Sequence, residues 1–452
     1  MMMSSLPPSP DTALPSPPSV SQAHTSNTPS EVHPVFLAQA KTLISGGELL
    51  PGGVTMLAKR LQQSAETQKP LVVKLGLDPT RPDLHLGHAV VLEKFRAFQD
   101  LGHQGVLLIG DATAMVGDPT GKNATRPPLT EAEVTANAET YLAQAGKIVD
   151  VEKATIVRNS TWLSPLKLAE LIQLMGKITV AQMLTRDDFS KRYDEGKPIS
   201  LHEFLYPLLQ AYDSVHLRAD IELGGSDQRF NNLLGRELQS VLTPEQTPQM
   251  VLLLPLLEGT DGIVKMSKSY PEHCIQLTAT PQDMFGKLMS IPDALIPRYE
   301  SLLSTLPEAQ VTLHTSWFQE GGVCPINPRD LKMGLALWVV ARYHGAEQAE
   351  LAQAGFIQQF SQKQLPTDMP CIEISSQEEA PLLIDWLVAQ HLQPSKAEAK
   401  RLMVGGGLKE RFEALTPDTL KLDDPTLKLT GQAGTERILQ LGKRQFVRCR
   451  FV

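Results

Sequence analysis

Apolar positions in the first half of the chain run in two rhythms. From "VFLAQAKTLI" to "MLAKRLQQSAE" they recur at helical spacing. "LVVKLGL" (71–77) is a compact apolar run and predicts a buried strand. "GHAVVLEKFRAFQDLG" returns to the helical rhythm and closes at Gly102, and "QGVLLIGDAT" predicts a second strand. Strand, turn, helix, strand is the unit of a parallel sheet with right-handed crossovers. Further apolar runs at "ATIVRNS", "ADIELGGSDQ" and "MVLLLPLL", separated by helical stretches, extend it into a doubly wound α/β sheet over about 70–270.

Beyond this region the strands stop. "MFGKLMSI", "DALIPRYESLLSTL", "PRDLKMGLALWVVARYHG" and "AEQAELAQAGFIQQF" predict a helical domain over 283–360. Residues 361–378 are polar and contain proline, as a linker would, and a small α+β domain follows over 379–452. The first 34 residues hold eight Pro and eight Ser with only Asp11 and Glu31 charged. Such a segment cannot bury enough apolar surface to offset its ordering entropy, so 1–34 is expected to be disordered, leaving 35–282 for the α/β domain.

Composition narrows the function classes. With 452 residues, 42% hydrophobic and 20% charged, the chain reads as a soluble protein of two or three domains. It contains no run of 18 apolar residues, so no membrane span is expected. The four cysteines, at 274, 324, 371 and 449, are scattered without metal-ligand spacing, which argues against a structural zinc and for a reducing, cytoplasmic setting. The net charge of −8 conceals an asymmetry: residues 381–452 carry 12 Lys/Arg against 8 Asp/Glu, so the basic end opposes an acidic body and suits a polyanionic partner.

Two segments carry candidate chemistry. "DPTRPDLHLGH" (78–88) joins the first strand of the sheet to its helix, the place where open α/β sheets bind ligands. Gly87 lets a flat ring or a phosphate approach the backbone, the helix start favours an anion, and His85 and His88 can donate to phosphoryl oxygens. "KMSKS" (265–269) follows the last apolar strand, and Lys265 and Lys268 can neutralise charge as pyrophosphate leaves an α-phosphorus. Either motif alone is weak. HLGH followed 177 residues later by KMSKS, each at a strand end of one α/β domain, is improbable by accident.

At these residues the chain resembles the class I aminoacyl-tRNA synthetases, whose signatures are HIGH and KMSKS. The resemblance implies a Rossmann-like catalytic domain, a 283–360 domain on the anticodon side, ATP as substrate with accompanying Mg²⁺, and no dedicated metal site. "EFLYPLLQAYD" with "ELGGSDQRFN" is similar to the tyrosyl branch of the family. There Tyr206, Gln210 and Asp213, with Asp118 of "GDPTGK", would hold the amino group and ring of L-tyrosine. Asp78, Thr80, Gly87, Asp227 and Lys268 would face the nucleotide, Gln228 the substrate carbonyl, and Lys122 and Arg126 the pyrophosphate. Many members carry a Tyr four residues before the Asp of DPT, where it meets the substrate phenol. This chain has Lys74 there, so Lys74 falls at the tyrosine site. The end of the chain resembles an S4-type RNA-binding domain that would set Ser395, Lys396, Lys400, Arg401, Lys443, Arg444, Arg448 and Arg450 against the phosphates of tRNA(Tyr). Members of this kind are homodimers. A tryptophan-specific relative and an RNA-binding protein without catalysis are the competing readings.

Overall fold

The computed structural model describes residues 32–80, 83–118, 130–267, 270–360, 369–375, 380–411, 419–442 and 445–452. They form two compact units, one drawn from the described residues of 32–279 and 290–335, the other from those of 280–289 and 336–452.

In the first unit a sheet of six strands has the order β1-β6-β5-β2-β3-β4. These are β1 (Glu48–Leu50), β2 (Val72–Leu77), β3 (Gln104–Ile109), β4 (Thr155–Arg158), β5 (Ile221–Gly225) and β6 (Met250–Leu254). The last five run parallel; β1 pairs antiparallel with β6 at the edge. The five predicted strands are all present. β1 was not foreseen, because three residues between two helices leave no period to detect. All of β6 is buried, as is usual for a parallel sheet covered on both faces.

The helices before β2 are α1 (Pro34–Ile44) and α2 (Gly53–Thr67). His33 caps α1, with Pro34 in its first turn, so the expected disordered stretch stops short of 34; residues 1–31 lie outside the described ones. Between β2 and β3 runs α3 (Leu86–Asp100), whose Leu86, Ala89, Val90, Leu92, Phe95 and Phe98 turn inward at helical spacing. A Cβ on Gly105 of β3 would lie 2.4 Å from the Phe95 ring, so the glycine is what lets this helix press onto the sheet. After β3 come α4 (Asp111–Val116) and α5 (Glu131–Ala145). The chain then crosses to the other side of β2, where the helices Leu201–His216 and Arg229–Leu242 flank β5. The strand order therefore reverses between β2 and β5, and the crevice beyond their carboxyl ends is the binding position of a doubly wound sheet.

The helical stretch expected as one domain over 283–360 is divided: 290–335 cluster with the first unit, and 280–289 and 336–360 with the second. Helical periodicity marks an apolar face but not the core that receives it. In the second unit a five-stranded sheet has the order β7-β11-β10-β8-β9. Its strands are β7 (Cys371–Ile374), β8 (Leu408–Arg411), β9 (Thr419–Lys421), β10 (Glu436–Leu441) and β11 (Gln445–Phe451). With the helices Leu383–Ala389 and Lys396–Val404 it buries Leu387, Met403, Leu408, Leu439 and Val447. β7 corrects the expected linker over 361–378. Its four residues are an edge strand paired in parallel with β11, a partner more than 70 residues away that no local pattern announces.

Candidate functional site

A cavity of about 640 Å³ opens at the reversal point. The ends of β2 and β5, the start of α3 and the residues Lys265, Met266 and Ser267 beyond β6 form its walls. His85, Gly87, His88 and Lys265 thus share one cavity, as the sequence signatures require.

His85 caps α3. Its Nδ1 accepts the Gly87 amide at 3.2 Å, while the His85 amide donates to His88 Nδ1 at 3.3 Å. The rings lie 4.0 Å apart. Because both Nδ1 atoms accept, a neutral ring carries its proton on Nε2, so each imidazole is set as an Nε2 donor. A Cβ at Gly87 would sit 3.0 Å from the His85 ring, which explains the glycine between the histidines. In the same cavity the Lys265 ammonium lies 3.0 Å from Asp227 Oδ2.

Several carboxylates line the same cavity. Asp78 accepts the Tyr206 hydroxyl at 2.7 Å and the Thr113 hydroxyl at 2.9 Å. Burial, with smaller pushes from Asp118 and Asp213, raises its pKa to about 7 against those two hydrogen bonds. Burial and then Asp78 push the Tyr206 phenol well above its ordinary value. Asp78, expected on the nucleotide, and Tyr206, expected on the amino acid, are thus joined. Thr80 lines the same cavity and its amide donates to the Asp78 carbonyl at 2.8 Å. Asp213 is 1% exposed and its carboxylate accepts Trp162 Nε1 at 2.8 Å and Asn159 Nδ2 at 3.1 Å. Its pKa is raised to about 6, burial outweighing Lys74 and the two donors. Asp118 is held by Arg186 at 3.1 Å and by Gln228 at 2.9 Å. Asn231 donates to both Gln210 and Gln228, and Gln210 donates to Asn232 at 2.9 Å.

Lys74 needs correcting. It does not line the cavity, and its side chain is fully buried. The ammonium lies beneath the site, 2.8 Å from Glu222 Oε1, 2.8 Å from Ser214 Oγ and 3.1 Å from the Gln210 carbonyl. Glu222 faces Lys74 from the next strand, so the cation is neutralised internally. Asn159 and Trp162 escaped sequence reasoning, although Asn159 is the penultimate residue of the run "ATIVRNS", at the carboxyl edge of a predicted strand. Arg186 and Ser214 offered no local signal, and Glu222, the first residue of "ELGGSDQRFN", was given no role.

In the second unit Ser395 caps the helix Lys396–Val404 through the Glu398 amide. Lys396 pairs with Asp385, Arg401 with Glu398, and Arg448 and Arg450 with Glu436; Lys400 is exposed. Lys122, Arg126, Lys268, Lys443 and Arg444 lie outside the described residues.

The model of the family of class I tRNA synthetases (W and Y) matches residues 66–361. The chain belongs to this family. It is 46% identical over 421 residues to the tyrosine–tRNA ligase of Thermotoga maritima, covering 93% of this chain and 98% of that protein. It is 47% identical over 391 residues to the tyrosine–tRNA ligase 2 of Pseudoalteromonas translucida, covering 86% and 94%. The fold matches a C-terminally truncated mitochondrial tyrosyl-tRNA synthetase of Aspergillus nidulans with TM-score 0.56 and 23% identity, over 72% of this chain and 94% of that one. The tyrosyl-tRNA synthetase of Aeropyrum pernix matches with TM-score 0.54 and 20% identity, over 71% and 98%. For a class I synthetase the HLGH segment and the first lysine of KMSKS therefore stand on one cavity, at the reversal point of the sheet.

Proposed function

We propose that the chain is a tyrosine–tRNA ligase: it joins L-tyrosine to ATP as tyrosyl-adenylate, releasing pyrophosphate, and passes the tyrosyl group to the 3′ end of tRNA(Tyr). The observation that carries this reading is a single cavity lined by the imidazoles of His85 and His88, the Lys265 ammonium, and the carboxylates and amides of Asp78, Asp118, Gln210 and Asp213, in a chain whose relatives bear that name.

The tyrosine carboxylate attacks the α-phosphorus, the bond to the leaving pyrophosphate breaks, and charge accumulates on the phosphoryl oxygens. His85, His88 and Lys265 are placed to stabilise that charge, and Lys268, Lys122 and Arg126 are assigned to the same task from the sequence resemblance. No covalent enzyme intermediate is required, so catalysis is positioning and charge stabilisation. Asp118, Gln210 and Tyr206 hold the α-ammonium, a cation that needs oxygen acceptors around it. Asp213, kept as an acceptor by Asn159 and Trp162, takes the phenolic O–H. Gln228 meets the carboxyl region, and Asp78, Thr80, Gly87 and Asp227 the adenosine and ribose. Mg²⁺ would accompany ATP and offset the charge of its phosphates. Lys74 acts from below the pocket.

The second unit binds tRNA as an S4-like module through Lys400 and its basic neighbours, with affinity that falls as salt rises. The working form is a cytoplasmic homodimer. Among the described residues no helix is long and apolar enough to cross a membrane. The test is ATP–pyrophosphate exchange with tyrosine against tryptophan. Tyrosine-dependent exchange supports the reading, whereas exchange driven by tryptophan, or none at all, removes it.

A further inference from the structure

The residues before Lys265 form a hairpin. Its rungs are the Gly259 amide to the Val264 carbonyl at 2.7 Å and the Met266 amide to the Leu257 carbonyl at 2.8 Å, with Glu258 bridged to Lys265 between them. Nothing in its sequence makes such a short hairpin rigid, since an isolated two-stranded ribbon is marginal in water. The Thr260 amide ties it to the His273 carbonyl at 3.0 Å, and the anchors on the strand opposite Lys265 come from a different segment. Tyr299, fully buried on the helix Ile296–Leu303, donates its hydroxyl to the Glu258 carbonyl at 2.7 Å. Arg298 donates to the Leu256 carbonyl at 3.0 Å and to the Glu258 carboxylate at 3.3 Å. At the tip, a Cβ on Gly262 would lie 3.2 Å from both Pro292 and Leu295, so the turn rests on the same segment.

We propose that Arg298 and Tyr299, neither of which lines the cavity, are positioning residues for Lys265. They hold the hairpin strand opposite Lys265 and so set the point from which its ammonium meets the triphosphate. The lever is short. Tyr299 fixes the carbonyl of Glu258, and the backbone of Glu258 is the bridge partner of Lys265. A lysine carries a long rotatable stem, so a loose backbone beneath it multiplies the positions its charge samples. Misplacing a reacting group by an ångström costs on the order of a hundredfold in rate.

This inference rests on the ligase reading, and the experiment separates the two. Tyrosine-dependent ATP–pyrophosphate exchange is measured for Tyr299→Phe, Arg298→Met and the double variant, each with Lys265 intact and in a Lys265→Ala background. With Lys265 present, the double variant is expected to lose about ten- to a hundredfold in kcat, with the KM for tyrosine within about twofold of the parent. In the Lys265→Ala background the same pair of changes costs less than about threefold, because the group they position is gone. Equal losses in both backgrounds, a parallel loss of tyrosine affinity, or no loss at all would each overturn the proposal. If Tyr299→Phe fails to fold, Arg298→Met, on a half-buried side chain, decides alone through the same two backgrounds. A parent protein without tyrosine-dependent exchange would sink the ligase reading itself; an active parent indifferent to these changes sinks only the positioning role.

Discussion

Lys74→Met removes a cation and keeps a side chain of similar length. The Lys74 and Glu222 side chains are 0% and 2% exposed and 2.8 Å apart, and Lys74 makes two further hydrogen bonds to the helix that carries Gln210 and Asp213. Breaking such a pair strands the partner charge and costs about 3–5 kcal/mol. Glu222 keeps donors from Ser214 and Gln249, which favours the lower end of that range. About 3 kcal/mol corresponds to a loss of roughly a hundredfold in the folded-to-unfolded ratio. The double variant Lys74→Met/Glu222→Gln no longer strands a charge, so it should recover most of the loss and give a large favourable coupling energy. The assay is urea unfolding of the parent, both single variants and the double, followed by circular dichroism and by the fluorescence of the four tryptophans, of which Trp162 hydrogen-bonds Asp213. A Lys74→Met loss below about 1 kcal/mol, or losses that simply add in the double variant, would refute the argument that this pair is a buried, interdependent unit beneath the pocket.

Asn159→Ala removes a donor that lowers the Asp213 pKa, now at about 6, so the acidic limb of kcat/KM for tyrosine should move toward neutral pH. A pH–rate profile with an unmoved limb would contradict that link. Arg186→Met takes the cation from Asp188 and from Asp118, which keeps only uncharged donors such as Gln228, and calorimetry should show tyrosine binding weakened by about tenfold or more; unchanged affinity would show that Arg186 does not set Asp118. Asp78 titrates near 7 in the folded protein against an ordinary value of 3.8. The native state therefore holds a proton that the unfolded chain has lost between those values, so the contribution of Asp78 to stability is present below about pH 4 and fades as pH rises toward 7. Asp78→Asn should flatten that part of the stability curve, and denaturant melts across the range would expose the opposite outcome.

The five parallel strands, the helix behind HLGH, and both signature segments were legible in the sequence because each is a local fact. A run of apolar residues, a helix start beside glycine and a pair of lysines after a strand each declare themselves within a dozen residues. A doubly wound sheet predicts a crevice at the strand ends, whereas the strand order, and with it the reversal between β2 and β5, came from the structure. What the sequence could not reach depends on residues far apart in the chain. Lys74 reads as a pocket residue until Glu222, 148 positions away, is found beside it. Asn159 and Trp162 are ordinary until the fold sets them on Asp213, and Arg186 until it meets Asp118, 68 positions back. β7 is four undistinguished residues until β11 pairs with it. Periodicity reports which face of an element is apolar, whereas which partner satisfies a buried charge or an open strand edge is settled only by chain closure in three dimensions.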